Sequence, residues 1–132
     1  MKTSAEPIIE VIRHNEKLSS LKVIMPIWNE LGEDNKIYTK MPLLGGLKTY
    51  SINENDTDIA VKEAIECFCI ASERYGNGLE NELENIGWVI TSSSDIRTVL
   101  NIDSSNSMFN LLLQTGETTA LDLELEKDLE FA

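Results

Sequence analysis

The segment IYTKMPLLGGLKTYSINENDTDIAVKEAIECF, from Ile37 to Phe68, decides the fold of this chain. It starts as a short strand-like run and then reaches a proline, two leucines and two adjacent glycines at positions 42–46. Proline and paired glycines interrupt regular structure and permit a tight turn or a bulge between strands. None of these residues is a catalytic group, so we interpret the stretch as a shape that is used to hold another protein.

Three strand-like runs surround this turn. Leu21–Trp28 is rich in β-branched and aromatic residues, Lys36–Met41 follows a polar turn with a glycine, and Gly46–Ile52 follows the proline–glycine break. Consecutive short strands with turn residues between them predict an antiparallel meander.

An amphipathic helix is predicted directly after the meander, from Thr57 to Tyr75. Asn55 or Asp56 can cap its first amides, and the glycines at 76 and 78 end it. Apolar side chains recur there every three or four residues, which is typical of a helix with one buried face. We expect that face to contain Ala60, Ala64, Cys67/Phe68, Ala71 and Tyr75, widened by Val61 and Ile65.

The segments on either side add further elements. Residues 5–18 can form a first helix, with a strand over Pro7–Arg13 as the alternative. The predicted elements after the main helix are a short helix over Leu79–Ile86, a strand or extended segment over Trp88–Thr91, a helix over Asp95–Ile102, and strands over Met108–Leu113 and Thr119–Leu125.

The resulting fold class is α+β, a small antiparallel sheet of three to four strands packed against one main helix. We divide the chain into an N-terminal helix or strand (1–20), an α+β domain (21–90) and an acidic C-terminal extension (91–132) that contains a β-hairpin.

The charge is strongly negative and unevenly distributed. The net charge is −12, and residues 80–132 carry 11 acidic side chains but only two basic ones. A negative surface repels phosphate, so we do not expect direct binding of nucleic acid. It suits a basic protein partner, or it serves solubility alone.

The sequence offers little for catalysis or membrane insertion. No apolar run reaches the ~20 residues that a membrane helix needs, and we expect a cytoplasmic protein. His14 is the sole histidine, and we interpret it as a surface residue of the first helix. Cys67 and Cys69 are expected to be buried, reduced thiols. We expect no enzyme activity, no metal site and no cofactor.

One acidic row has regular spacing. Leu121, Leu123 and Leu125 alternate with Asp122, Glu124 and Glu126, so one strand face is apolar and the other acidic. The acidic row could hold a cation or discourage edge-to-edge aggregation, and a solvated outer strand face is the simpler interpretation.

The order of elements from Leu21 to Tyr75 resembles the HicB-like antitoxin family. The resemblance rests on the turn Pro42-Leu43-Leu44-Gly45-Gly46, the Asn55-Asp56-Thr57 start of the helix, and the run Lys62-Glu63-Ala64-Ile65-Glu66. It implies a protein that neutralises a small basic toxin or nuclease by occlusion and that forms dimers or higher oligomers through sheet edges. The DNA-binding module common in that family has no counterpart in the acidic end of this chain.

An alternative function is that of an acidic immunity or inhibitor protein that mimics the charge of nucleic acid. For either function the candidate partner-binding residues are Trp28, Tyr38, Pro42, Leu43, Leu44, Asp122, Glu124 and Glu126.

Overall fold

The computed structural model describes residues 7–102 and 117–125, with the backbone alone for residues 117 and 118. The described elements are β1 (Ile8–His14), β2 (Lys17–Leu31), β3 (Ile37–Met41), β4 (Leu47–Ser51), α1 (Thr57–Arg74), α2 (Leu79–Asn85), β5 (Trp88–Ser93), β6 (Arg97–Ile102) and β7 (Glu117–Glu124). The predicted α+β class and the antiparallel meander are confirmed.

The sheet is larger than the sequence predicts. Its strands follow the order β4-β3-β2-β1-β6-β5, and β7 pairs with β2. All pairings among the described strands are antiparallel. Seven strands replace the predicted three or four, because two segments predicted as helices are strands and because β7, predicted in the C-terminal extension, joins the same sheet.

The first of these corrections is at the N-terminal side. The helix predicted over residues 5–18 is wrong, and the strand alternative is right. His14 pairs with Lys17 across a two-residue loop, in which Asn15 and Glu16 both have positive φ. That geometry matches the right-handed twist of a hairpin, and it places alternate side chains of β1 in the core.

The second correction concerns the helix predicted over Asp95–Ile102. This segment forms β6, which pairs with β5 and β1. The Ser94 amide donates to the Arg97 carbonyl at 2.8 Å, and the Ser94 hydroxyl accepts from the Arg97 amide at 3.1 Å. A serine that can cap a helix can equally close a turn, and here it closes the β5–β6 hairpin.

Strand β2 is the centre of the sheet and runs for 15 residues. It pairs with β1 as far as Ile24 and with β3 from Trp28 onward. Pro26 lies between these two regions and opposite Thr118 of β7, so its missing N–H removes no bond to β1 or β3.

Strand β7 confirms the predicted alternation of the C-terminal segment. Leu121, Leu123 and Leu125 are buried, whereas Asp122 and Glu124 are exposed. The strand predicted over 108–113 lies outside the described residues.

Both helices cover the face of the sheet that contains the core. The buried positions of α1 are Val61, Ile65, Cys69 and Ser72, so the buried stripe is displaced from the predicted one. Tyr75 is 83% exposed, and Cys67 and Ala71 are also exposed, so the prediction that these three residues are buried is wrong. No helix in the described part of the chain is long and apolar enough to cross a membrane.

Candidate partner-binding surface

The outer face of β2, β3 and β4 carries aromatic and basic side chains. Directly opposed residues of antiparallel strands share one face, and two rows therefore lie side by side on the surface away from α1. We call these six residues the tyrosine face: Glu30, Tyr38 and Tyr50 in one row, and Trp28, Lys40 and Lys48 in the next.

The two tyrosines of this face are exposed and close together. Tyr38 is 37% exposed and Tyr50 is 54% exposed. Their ring centroids lie 6.0 Å apart with the rings tilted by 39°, a separation at which aromatic pairs attract each other.

Tyr38 is held in place by the turn that joins β2 to β3. Its hydroxyl donates to the Asp34 carboxylate at 2.6 Å, and this hydrogen bond lowers the pKa of Asp34 and raises the pKa of Tyr38. A Cβ at Gly32 would lie only 2.5 Å from the Tyr38 ring, so the turn needs glycine there for the ring to pack against it.

Lysines support the rest of the tyrosine face. The Lys36 ammonium lies 4.9 Å from the centroid of the Tyr50 ring, within the range of a cation–π contact. Lys40 forms an exposed ion pair with Glu30 at 3.6 Å. Lys36 thus restricts the Tyr50 ring, and Lys40 restricts the Glu30 side chain. Side chains that are already restricted lose less conformational entropy when a partner binds.

The turn at residues 42–46 is tied to the core of the protein. Pro42–Leu44 forms a short 3-10 turn, and Gly45 and Gly46 follow with φ of 67° and 78°, a conformation that favours glycine. Leu44 is buried at 2% exposure. The Leu43 carbonyl accepts a 2.7 Å hydrogen bond from the Trp88 indole N–H, so the turn is tied to β5.

The predicted partner-binding residues therefore separate into groups. Trp28 and Tyr38 share the tyrosine face, and Asp122 and Glu124 are exposed on β7. Pro42, Leu43 and Leu44 belong to the core-supporting turn, and Glu126 lies outside the described residues.

Asp122 belongs to a row of alternating charge across four strands. It lies opposite Lys22, which lies opposite Glu10. Arg97 donates to the Glu10 carboxylate at 2.8 Å, and this hydrogen bond lowers the pKa of Glu10. Opposite charges on adjacent strands stabilise their pairing, so Asp122 has a structural neighbour of opposite sign.

A second surface feature is an open cleft where the β2–β3 hairpin passes the start of α1. Its volume is about 640 Å³. We call it the acidic cleft, and it is lined by Leu31, Ile37, Ile52, Glu30, Glu54 and Asp58 together with neighbouring polar residues. Leu31 and Ile52 are 70% and 75% exposed.

The described residues show no arrangement suited to a metal ion. Within 7–102 and 117–125, no group of three or more His, Cys, Asp or Glu side chains could hold one. Cys69 is buried, and burial raises the pKa of its thiol to about 12. A thiol with so high a pKa is a poor nucleophile.

Sequence reasoning missed Tyr50 and the acidic cleft. Tyr50 lies beside Tyr38 because β3 and β4 pair with these two residues opposite each other. The sequence indicates only that Lys48 and Tyr50, two residues apart on a predicted strand, share one face. Comparisons with protein-family models, with curated proteins and with solved structures found no match to this chain.

Proposed function

We propose that this chain is a protein-binding module of the HicB antitoxin type, which neutralises a small basic toxin or nuclease by occluding it. The observation that supports this function is the tyrosine face, where two exposed tyrosines lie 6.0 Å apart, Tyr38 on β3 and Tyr50 on the terminal strand β4. Tyrosine and tryptophan are the residues that most often anchor protein interfaces. Occlusion requires such a surface and no catalytic group.

The charge of the chain favours a basic partner. A net charge of −12 attracts a cationic protein and accelerates encounter. The tyrosine face itself carries lysines, so it contributes aromatic contact to binding. The carboxylates that would contact basic side chains of the partner include Glu54 and Asp58 of the acidic cleft, which lie outside the tyrosine face.

The chain is also proposed to self-associate through β4. This strand ends the sheet order among the described strands, and a terminal strand can pair with a second copy. Antiparallel pairing about a two-fold axis at Thr49 places Lys48 of each copy opposite Tyr50 of the other. Such a contact is self-complementary, as a two-fold interface requires.

This pairing predicts a dimer that one substitution disrupts. Tyr50→Lys would place lysines opposite each other twice, and like charges directly opposed destabilise strand pairing. Light scattering after size exclusion should give about twice the 14.8 kDa chain mass for the unmodified protein and the single-chain mass for the variant. An unmodified chain that is monomeric throughout the accessible concentration range would refute pairing through β4.

The binding function predicts a loss of affinity when the tyrosines are removed. The double variant Tyr38→Ala/Tyr50→Ala should bind the partner about 100-fold more weakly, because truncation of two interface anchors typically costs this much or more. The partner is sought by co-expression with the protein encoded next to this chain, and calorimetry on the purified pair measures the affinity. Tyr75→Ala is the matched control, since Tyr75 is an exposed tyrosine outside the tyrosine face.

The same experiment separates the alternatives. No complex with the neighbouring protein and no copurifying protein would count against the antitoxin function. A complex with a nucleic-acid enzyme that competes with DNA or RNA and weakens steeply with salt would favour the charge-mimic alternative. A direct gel shift of nucleic acid by this chain would contradict both, and the lysines of the tyrosine face are where such contact would be sought.

A further inference from the structure

We infer that the acidic cleft is a binding site for an extended peptide segment that carries an arginine or lysine next to an apolar side chain. The inference rests on the proposed function, whose partner would supply the segment, and it adds the place and the chemistry of the contact. It concerns the end of the β2–β3 hairpin, where Leu31 and Ile37 lie on the face opposite to the tyrosine face and Glu30 belongs to both surfaces.

The cleft exists because the sheet extends beyond the start of α1. Leu31, Ile37 and Ser51 form one row across β2, β3 and β4. Ser51 is buried, and its hydroxyl hydrogen-bonds that of Thr57 at 3.0 Å, where the helix begins. Leu31 is at the other end of the row, and within the described part of the chain neither α1 nor α2 covers it, since it is 70% exposed. The apolar face that α1 covers elsewhere is therefore open to a ligand here.

The acidic cleft contains exposed apolar side chains. Leu31 and Ile52 are among the most exposed large apolar side chains of the described residues, and both line the same cleft. Two such residues around one concave site mark a place that an apolar group can fill.

The charges around this apolar floor select a cation. Glu54 and Asp58 line the cleft together with Glu30, whose carboxylate pairs with Lys40 of the tyrosine face. Among the described residues, no arginine or lysine lines the cleft, and neither Glu54 nor Asp58 has an ion-pair partner. The start of a helix otherwise favours anions, but these carboxylates would repel one. A cationic side chain beside an apolar one fits both features.

Titration with short peptides tests the inference. Acetyl-Leu-Arg-Leu-amide should shift the backbone amide resonances of residues 29–37 and 52–58 in a two-dimensional ¹H–¹⁵N NMR spectrum, and acetyl-Leu-Glu-Leu-amide should not. Glu54→Gln/Asp58→Asn should weaken binding of the arginine peptide about fivefold, as expected for two solvent-exposed ion pairs. Glu63→Gln/Glu84→Gln removes the same charge from exposed helix positions outside the cleft and should leave the affinity unchanged.

Equal shifts with both peptides, shifts outside the cleft, or no shifts at all would overturn the inference. These results are distinguishable from a failure of the proposed function. A partner complex that forms and is unaffected by Glu54→Gln/Asp58→Asn would refute the cleft as the contact and leave the function intact. Specific peptide binding without any partner complex would support the site and refute the antitoxin role.

Discussion

Replacing Trp88 with alanine is expected to lower the free energy of unfolding by about 3 to 5 kcal/mol, the usual cost of truncating a buried aromatic side chain. Trp88 is 2% exposed and belongs to the main apolar core. Its indole N–H also donates to the Leu43 carbonyl at 2.7 Å. The substitution therefore removes core volume and, at the same time, the bond that ties the Pro42–Leu44 turn to β5.

Urea unfolding followed by circular dichroism measures this loss. Trp28→Ala is the matched control, because Trp28 undergoes the same chemical change on a half-buried site of the tyrosine face and should cost clearly less. Trp88→Phe keeps most of the ring and removes the donor, so it should cost about 1 to 2 kcal/mol and remain foldable. If Trp88→Phe matches the unmodified protein and Trp88→Ala costs no more than Trp28→Ala, the tie between turn and strand has no energetic role.

The elements from Leu21 to Tyr75 could be predicted because their signals are local. Pro42 and the two glycines after Leu44 end β3 and permit positive φ, and the polar residues before Thr57 start a helix whatever the rest of the chain does. Which side of the helix faces the core was harder to predict from sequence, because small residues such as Ala60 and Ala64 lie next to the larger Val61 and Ile65. The larger side chains are the ones buried, since burying them removes more apolar area from water.

The two segments predicted as helices depended on tertiary partners. Ile8, Ile9, Val11 and Ile12 suit a helix face or a strand equally well, and the strand forms because β2 and β6 pair with it on either side. The loop that permits this pairing places Glu16 at positive φ, a conformation for which glutamate has no preference. The sequence therefore carried no turn signal strong enough to indicate the hairpin.

The site was predictable only in part for the same reason. Tyr38 could be identified as an interface candidate, but its neighbour Tyr50 depends on the register of β3 with β4. The acidic cleft depends on how far the β2–β3 hairpin extends beyond the helix start. The register follows from the exact geometry of the turn at residues 42–46, and the extent of the hairpin follows from tertiary packing, and residue types alone specify neither.

Arg13 forms a contact of this long-range kind, which joins β1 to both helices. Its guanidinium donates to Glu73 at 2.7 Å and to Glu80 at 2.8 Å, and also to the Glu16 carbonyl. The Glu73 carboxylate in turn accepts from the Leu79 amide at 2.8 Å, where α2 begins. The three charged side chains are only about a fifth exposed, so water screens the attraction between their charges only weakly.

Arg13→Met is expected to lower the free energy of unfolding by about 2 to 3 kcal/mol at pH 7. Removing one member of a fully buried ion pair costs about 3 to 5 kcal/mol, and we reduce this figure because part of each side chain still contacts water. Methionine keeps the apolar stem, so the loss reports the missing charge and hydrogen bonds. Arg97→Met, at the exposed pair with Glu10, is the matched control and should change stability little.

The pH dependence of this loss distinguishes an electrostatic cause from lost packing. Burial is the largest single influence on the pKa of Glu80 and raises it, but the hydrogen bond from Arg13, a backbone hydrogen bond and the charge of Arg13 together outweigh burial and hold that pKa below the ordinary value of 4.5. The contribution of Glu80 in the unmodified protein is therefore present above pH 4.5 and is lost as the pH falls through the lowered pKa. In Arg13→Met both contributions of Arg13 are lost, and burial, opposed only by the backbone hydrogen bond, raises the pKa of Glu80, so the folded state binds a proton more readily than the unfolded state as the pH falls. The stability difference between the two proteins should be largest at pH 7 and shrink steadily towards pH 4, and a difference independent of pH would mean that Arg13 stabilises the fold by packing alone.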